Sequence, residues 1–328
     1  MAPTLGDVLA AVIREQVIAL AEHERGARDD VPDAVHQYRV TLRRLRSVLA
    51  AFSADLDPAA TAAGLGLPTL TGRLRDTARA FGLARDAEVD AELAAAAIAD
   101  GAVAAGPATD ELLRALDEAA STAYQEHRQQ AVALLDDLGP DTLTAVLTAL
   151  AAVAEQGAGH SADQGQEQDQ GAGDGDTGGE PLAGDAGAAL ARVVDEQTAH
   201  VLRLARKAKR AAPEDAATAL HEVRKKAKRL RYAIEEITAH DVAIPPGRQD
   251  VVDAAHRIQK HLGTHHDSVG LTDFVRHTVA ERPATGRRAL STAVAFAAGE
   301  LTGAERAVQQ AALRKYRAAR RALRDALA

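Results

Sequence analysis

Two stretches of the chain concentrate the residues that could do chemistry. "VHQYRVTLRRLRSVLAAF" (Val35–Phe52) carries His36, Arg39, Arg43, Arg44 and Arg46. "LHEVRKKAKRLRYAIEEI" (Leu220–Ile237) carries His221, Arg224, Lys225, Lys228, Arg229 and Arg231. Guanidinium groups present planar forks of donors that match phosphate and carboxylate oxygens, and histidine adds a donor that titrates near neutral pH. The chemistry on offer is therefore anion recognition. No nucleophile–base pair, phosphate-cradling glycine loop or pair of carboxylates stands out, so catalysis is not expected.

The spacing assigns these cations a place. Val35, Tyr38, Leu42, Leu45, Leu49 and Phe52 recur at intervals of three and four, the signature of a helical packing seam. His36, Arg39, Arg43 and Arg46 follow one residue later, forming a stripe roughly 100° around the helix. In the second stretch Leu220, Val223, Ala227, Leu230, Ile234 and Ile237 form the seam, and His221, Arg224, Lys228 and Arg231 form the stripe. Both stripes border the bundle interior. A charged helix face is ordinarily solvated surface, but these stripes hold almost no acidic partners, and like charges at such spacing repel. A bound anion would supply the missing counter-charge.

Stepping the sequence against itself reinforces the pairing. An offset of 185 matches His36 with His221, Arg39 with Arg224, Arg43 with Lys228, Arg44 with Arg229, and Arg46 with Arg231. "FGLARDAEV" (Phe81–Val89) and "LGTHHDSVG" (Leu262–Gly270) continue the echo, with Gly82 answering Gly263 and Asp86 answering Asp267. Pro107 and Pro283 extend the register. This is the pattern of an internal duplication, which predicts a pseudo-two-fold molecule. Arg75, Arg79 and Arg85 in the first half and Lys260 in the second are further candidates for the anion site. Arg203–Arg210 and Arg314–Arg324 are also basic, but their cations are spread around the helix and read as solvated surface.

The elements that must position these residues are helices. Alanine is abundant, aromatics make up 2% of the chain, and no stretch alternates as a strand would. Helices are expected near Leu5–Glu24, Asp33–Phe52, Thr69–Phe81 and Asp86–Ala105, followed by a long one to Leu138 and a last one to about Glu155. Gly82 and Gly263 are expected to end helices, and Asp86 and Asp267 to cap the next. The class is all-α, with two antiparallel bundles at 1–154 and 188–328.

Between them, residues 155–187 hold almost no large apolar residue and no lysine or arginine, and are expected to be a disordered linker. That segment holds eight acids, from Glu155 to Asp185, which equals the whole net charge of −8. The rest of the chain balances its charges and concentrates the positive ones locally. There is no cysteine, no signal peptide is evident, and no stretch is long enough to span a bilayer, so a cytoplasmic protein is expected. His261 and His265, four apart, suggest a metal pair, but a helix end at Gly263 would separate them, so no metal site is expected.

The motif H-x-x-R-V-x-x-R-R-L-R, followed by F-G-x-x-R-D, resembles that of the CHAD (conserved histidine α-helical domain) family. The resemblance runs over essentially the whole chain outside the linker. It implies two helical bundles whose basic residues line a groove that binds inorganic polyphosphate, with the two basic motifs and Arg85 as ligand contacts. The second half departs at His266, where arginine is usual, and at Lys225, where an apolar residue is usual. The E-x-E-x-K motif of the triphosphate-tunnel domains often fused to this family does not occur. The expected function is therefore non-catalytic polyphosphate binding, with no cofactor, and a place on polyphosphate granules beside polyphosphate-metabolising proteins. A nucleic-acid binder or a scaffold would use the same helices, although stacking aromatics are scarce.

Overall fold

The computed structural model describes residues 2–138, 142–163, 181–212, 214–281 and 289–327, with backbone only at 138 and 160–163. Among the described residues there are ten α-helices and no strand. They are α1 (Leu5–Arg28), α2 (Ala34–Ala51), α3 (Ser53–Ala62), α4 (Leu67–Ala99) and α5 (Pro107–Leu138). After α6 (Thr142–Asp163) come α7 (Ala186–Arg210), α8 (Ala216–Thr238), α9 (Gln249–Glu281) and α10 (Thr292–Asp325). The all-α expectation holds.

Local chemistry sets several boundaries. The Thr4 hydroxyl accepts from the Asp7 amide, the Asp185 carboxylate from the Ala188 amide, and the Ser291 hydroxyl from the Val294 amide, starting α1, α7 and α10. Pro68 sits in the first turn of α4, where its missing N–H costs nothing.

Two helices predicted as separate are one. α4 runs unbroken through Gly82 and Asp86, and α9 runs unbroken through Gly263 and Asp267. A glycine inside a helix costs only about 1 kcal/mol relative to alanine, which 33-residue helices flanked by good formers absorb. Neither glycine is a C-cap, and neither aspartate is an N-cap.

Both ends of the predicted linker hold helical structure. α6 continues to Asp163, and Pro181–Ala183 forms one turn of 3₁₀ helix. Leu182 in that turn is buried, and its side chain fills the space beside Gly157. Gly6 packs just as closely: a Cβ there would lie 2.3 Å from the Ala154 carbonyl oxygen. Glu155 pairs with Arg14, and an isolated bridge joins Thr4 to Asp185. Part of the acidity assigned to a linker is thus structural. The remainder, 164–180, and the register at Pro283 lie outside the described residues.

α2 and α8 pack against each other at the centre. α1 and α4 lie against α2, α7 and α9 lie against α8, and α5 and α10 cover α4 and α9. The predicted seam of α2 is buried throughout, with Tyr38 meeting Phe81 edge to face at 4.9 Å. Val223, Ala227, Leu230, Ile234 and Ile237 are buried on α8, and Leu220 is partly so. One large apolar cluster joins residues from both sides of the 155–187 segment. A smaller one joins Ala94, Leu112 and Leu116 to Leu271, Val275 and Leu301 at the far ends of the long helices. Arg192 reaches Asp55 at 2.7 Å, adding a polar tie across the same boundary.

Candidate functional site

Because each stripe sits about 100° from its seam, packing α2 on α8 turns both stripes into one cleft. A cavity of about 520 Å³ opens there. α2 contributes Arg39, Arg43 and Arg46, and α8 contributes His221, Arg224, Lys225, Lys228 and Arg229. α4 closes a third side with Arg75 and Arg79. No carboxylate is among the residues that line it.

Counter-charges do reach the site, two from other helices and two from neighbours on the cation's own helix. Arg39 Nη1 donates to Asp86 at 2.7 Å, and Arg224 lies 3.5 Å from Asp267. Arg75 pairs with Asp76, and Lys225 with Glu222. The scarcity of acids along the stripes themselves was therefore only half of the picture. Arg43, Arg46, Arg79, Lys228 and Arg229 have no carboxylate within 4 Å among the described residues.

The glycines explain how the arginines reach these acids. A Cβ on Gly82 would lie 3.5 Å from Arg39 Nε, and one on Gly263 would lie 3.8 Å from Arg224 Nε. Each bare backbone patch leaves room for a guanidinium to pass over its helix to the aspartate one turn further on.

The crowding shows in proton affinities. Burial holds the Arg43 and Arg224 guanidinium groups below their ordinary range, and neighbouring cations, Arg39 among them, push the same way. Arg46 is lowered by burial and then by Arg229 and Arg75. Lys228 is held down to about 7, first by burial and then by Arg43, Arg224 and Arg39. His221 is lowered to about 4 by burial, His266, Lys225 and Arg224, and its ring lies 4.6 Å from that of His266. Its Nδ1 is buried with no hydrogen-bond partner among the described residues. On the acidic side, Asp90 is raised to about 7 by burial and by Asp86, Asp267 and Asp273. The cleft stores uncompensated positive charge beside Asp90 and Asp267, whose carboxyls burial holds above the usual carboxylate range.

Tyr232 was not singled out by the sequence reasoning, yet it organises the cleft. Its ring lies 5.5–6.0 Å from the charged heads of Arg43, Arg44, Lys228 and Arg231. Arg43 Nη2 approaches its hydroxyl at 3.5 Å across the α2–α8 contact. The offset of 185 pairs Tyr232 with Ser47, and both line the cavity, so that register held the signal.

Five of the predicted residues are placed elsewhere. Arg44 is 3.1 Å from buried Glu236, which also accepts from Gln16. Arg231 donates to Glu235 and Gln259. Arg85 donates to Glu92 at 2.9 Å and 3.1 Å, and neighbours His36 outside the cavity lining. Lys260 sits with His261, Arg257 and Lys315 on another side of α9. Since α9 continues past Gly263, the helix end invoked against a His261–His265 metal pair does not exist. Among the described residues, though, no group of three or more His, Asp or Glu is arranged to hold a metal ion.

A family model described as the CHAD domain matches residues 11–276. The chain belongs to the CHAD domain family. Its fold agrees with the crystal structure of the CHAD domain from the plant Ricinus communis, with a TM-score of 0.63 and 24% identity over 98% of this chain and 93% of that one. PptA from Streptomyces chartreusis is similar at a TM-score of 0.60, with 17% identity over 97% of this chain and 99% of that one. Uncharacterized proteins from two strains of Mycobacterium tuberculosis are each 30% identical over 97% of this chain. The chain spans about half the length of these curated relatives, 55% of each. Among the described residues of this CHAD domain, no helix is long and apolar enough to cross a membrane.

Proposed function

We propose that this CHAD domain binds inorganic polyphosphate, without catalysis, in the cleft between α2 and α8. The observation that carries the reading is the set of five cleft cations with no carboxylate partner, in a cavity lined by cations, a histidine, a serine and a tyrosine. A run of phosphates would supply counter-charges to both helices at once, and engaging the second helix after the first is effectively intramolecular. Nucleic acid offers the same phosphates, but Tyr232 is only 6% exposed and is flanked by cations, so it is no platform for a base. Binding of this kind would also let the protein ride on polyphosphate granules and bring polyphosphate-metabolising partners to them.

The test is a titration with polyphosphate against single- and double-stranded DNA at matched phosphate concentration, across a salt series. Polyphosphate should bind more tightly, with affinity falling steeply as salt rises. Arg43→Ala with Lys228→Ala should weaken binding severely while raising the melting temperature, because it removes buried charges that repel. Arg320→Ala with Arg321→Ala, at the far end of α10, should do neither. DNA affinity equal to that for polyphosphate would overturn the reading.

A further inference from the structure

A second cavity, of about 760 Å³, opens where α7 ends and α8 begins. Arg203, Arg206, Lys207 and Arg210 line it. Their spacing of three, four and seven puts all four on one face of α7, within an arc of about 100°. Only Lys209 turns away. The basic run Arg203–Arg210, which looked spread around its helix, is thus a directed stripe. Cations in a last helical turn ordinarily serve the helix dipole, but Arg203 and Arg206 lie before that turn. Two acids also face the cavity, Asp215 and Glu222, and Glu222 is already paired with Lys225 at 2.5 Å. Among the described residues the four cations have no carboxylate within 4 Å.

This cavity connects electrostatically to the cleft. Arg229 lines the cleft, Arg203 lines the second cavity, and Lys226 lies between them. Burial lowers the Lys226 ammonium first, and Arg229 and Arg203 lower it further. His200 is lowered by burial and then by Lys226, Arg203 and Arg229, the same three cations. Along α8, Ala219, Glu222, Lys226 and Arg229 share one face. The step from Arg229 back to Ala219 covers ten residues, or about 15 Å.

We infer that the second cavity is an extension subsite for the same polyanion. A chain of phosphates leaving the cleft at Arg229 crosses Lys226 and Arg203 and settles against Arg206, Lys207 and Arg210. The inference rests on the proposed polyphosphate reading and adds a length requirement to it. A short polyphosphate fills the cleft alone, whereas a ligand about 15 Å longer engages both cavities.

The experiment compares tripolyphosphate with long-chain polyphosphate on the wild-type chain and on Arg203→Ala/Arg206→Ala/Arg210→Ala. All three positions are exposed, so the variant should fold. Long-chain affinity should drop about tenfold or more, with a salt slope shallower by about two, while tripolyphosphate affinity stays put. An unchanged long-chain affinity, or an equal loss for both ligands, overturns the extension while leaving the cleft intact. Failure of wild-type protein to bind either ligand would instead remove the polyphosphate reading itself.

Discussion

The Arg39 guanidinium group fills the space a side chain on Gly82 would enter, 3.5 Å from the position of its Cβ. Arg224 bears the same relation to Gly263 at 3.8 Å, and each arginine then meets an aspartate one turn further along. The glycines are therefore parts of the cleft, because the arginine lies across its helix where a longer side chain would stand. Both gaps are ordinary contact distances, so one methyl group fits and a larger side chain does not.

That geometry separates two substitutions. Gly82→Ala should raise stability by up to about 1 kcal/mol through helix propensity and leave binding unchanged. Gly82→Leu should keep the helix but dislodge Arg39, weakening polyphosphate binding about tenfold, the worth of one charge-assisted hydrogen bond. Circular dichroism and ligand titration on both variants check the pair. Equal binding by the leucine variant would show that the position of Arg39 does not matter.

The glycines also show what a sequence can and cannot display. The seams of α2 and α8 were legible because helical periodicity is local, and both came out buried almost throughout. A glycine ahead of an aspartate, however, carries the same letters whether it ends a helix or admits a neighbour. Only the partner decides, and Arg39 and Asp86 are 47 residues apart in sequence. For the same reason Glu236, which occupies Arg44, stayed hidden; Glu88, Glu92 and Glu235, which occupy Arg85 and Arg231, lie within seven residues of them and were legible as helical neighbours. Tyr232 was concealed differently: it belongs to neither the apolar seam nor the basic stripe of its helix, and no local spacing marks it.

The close fit of α1, α6 and the turn at Pro181–Ala183 gives a stability test. Gly6→Ala pushes a methyl group against the Ala154 carbonyl and should cost about 1–3 kcal/mol, as overpacking does. Leu182→Asp should destabilise as well, since it buries a charge among apolar side chains. Deleting 166–178, which lies outside the described residues, should leave the melting temperature nearly unchanged. Thermal melts of the three proteins decide the matter. A large loss from the deletion would show that the acidic segment supports the fold.

Lys228 makes the cleft sensitive to pH, with opposite signs for stability and binding. Burial, then Arg43, Arg224 and Arg39, hold its ammonium to about 7 in the empty cleft, against an ordinary 10.5. Between those values the unfolded chain keeps a proton that the native protein has lost, so stability should rise as pH climbs through this window. Bound phosphates favour the charged ammonium and move its pKa back up. The complex then holds a proton that the free protein lacks. Affinity should be level below about 7 and fall as pH rises above it, with proton uptake measurable by calorimetry in buffers of different ionisation enthalpy. His221, at about 4, titrates below this window. Asp90 contributes stability that is complete below its ordinary 3.8 and already lost by about 7, below this window, whereas Lys226, also lowered from 10.5 by burial, adds a rise of the same sign within it. Lys228→Met should make both slopes above neutral pH shallower, weakening binding at neutral pH while stabilising the empty protein. A wild-type melting temperature flat above pH 7, or an affinity that climbs with pH, would mean that Lys228 stays charged in the empty cleft.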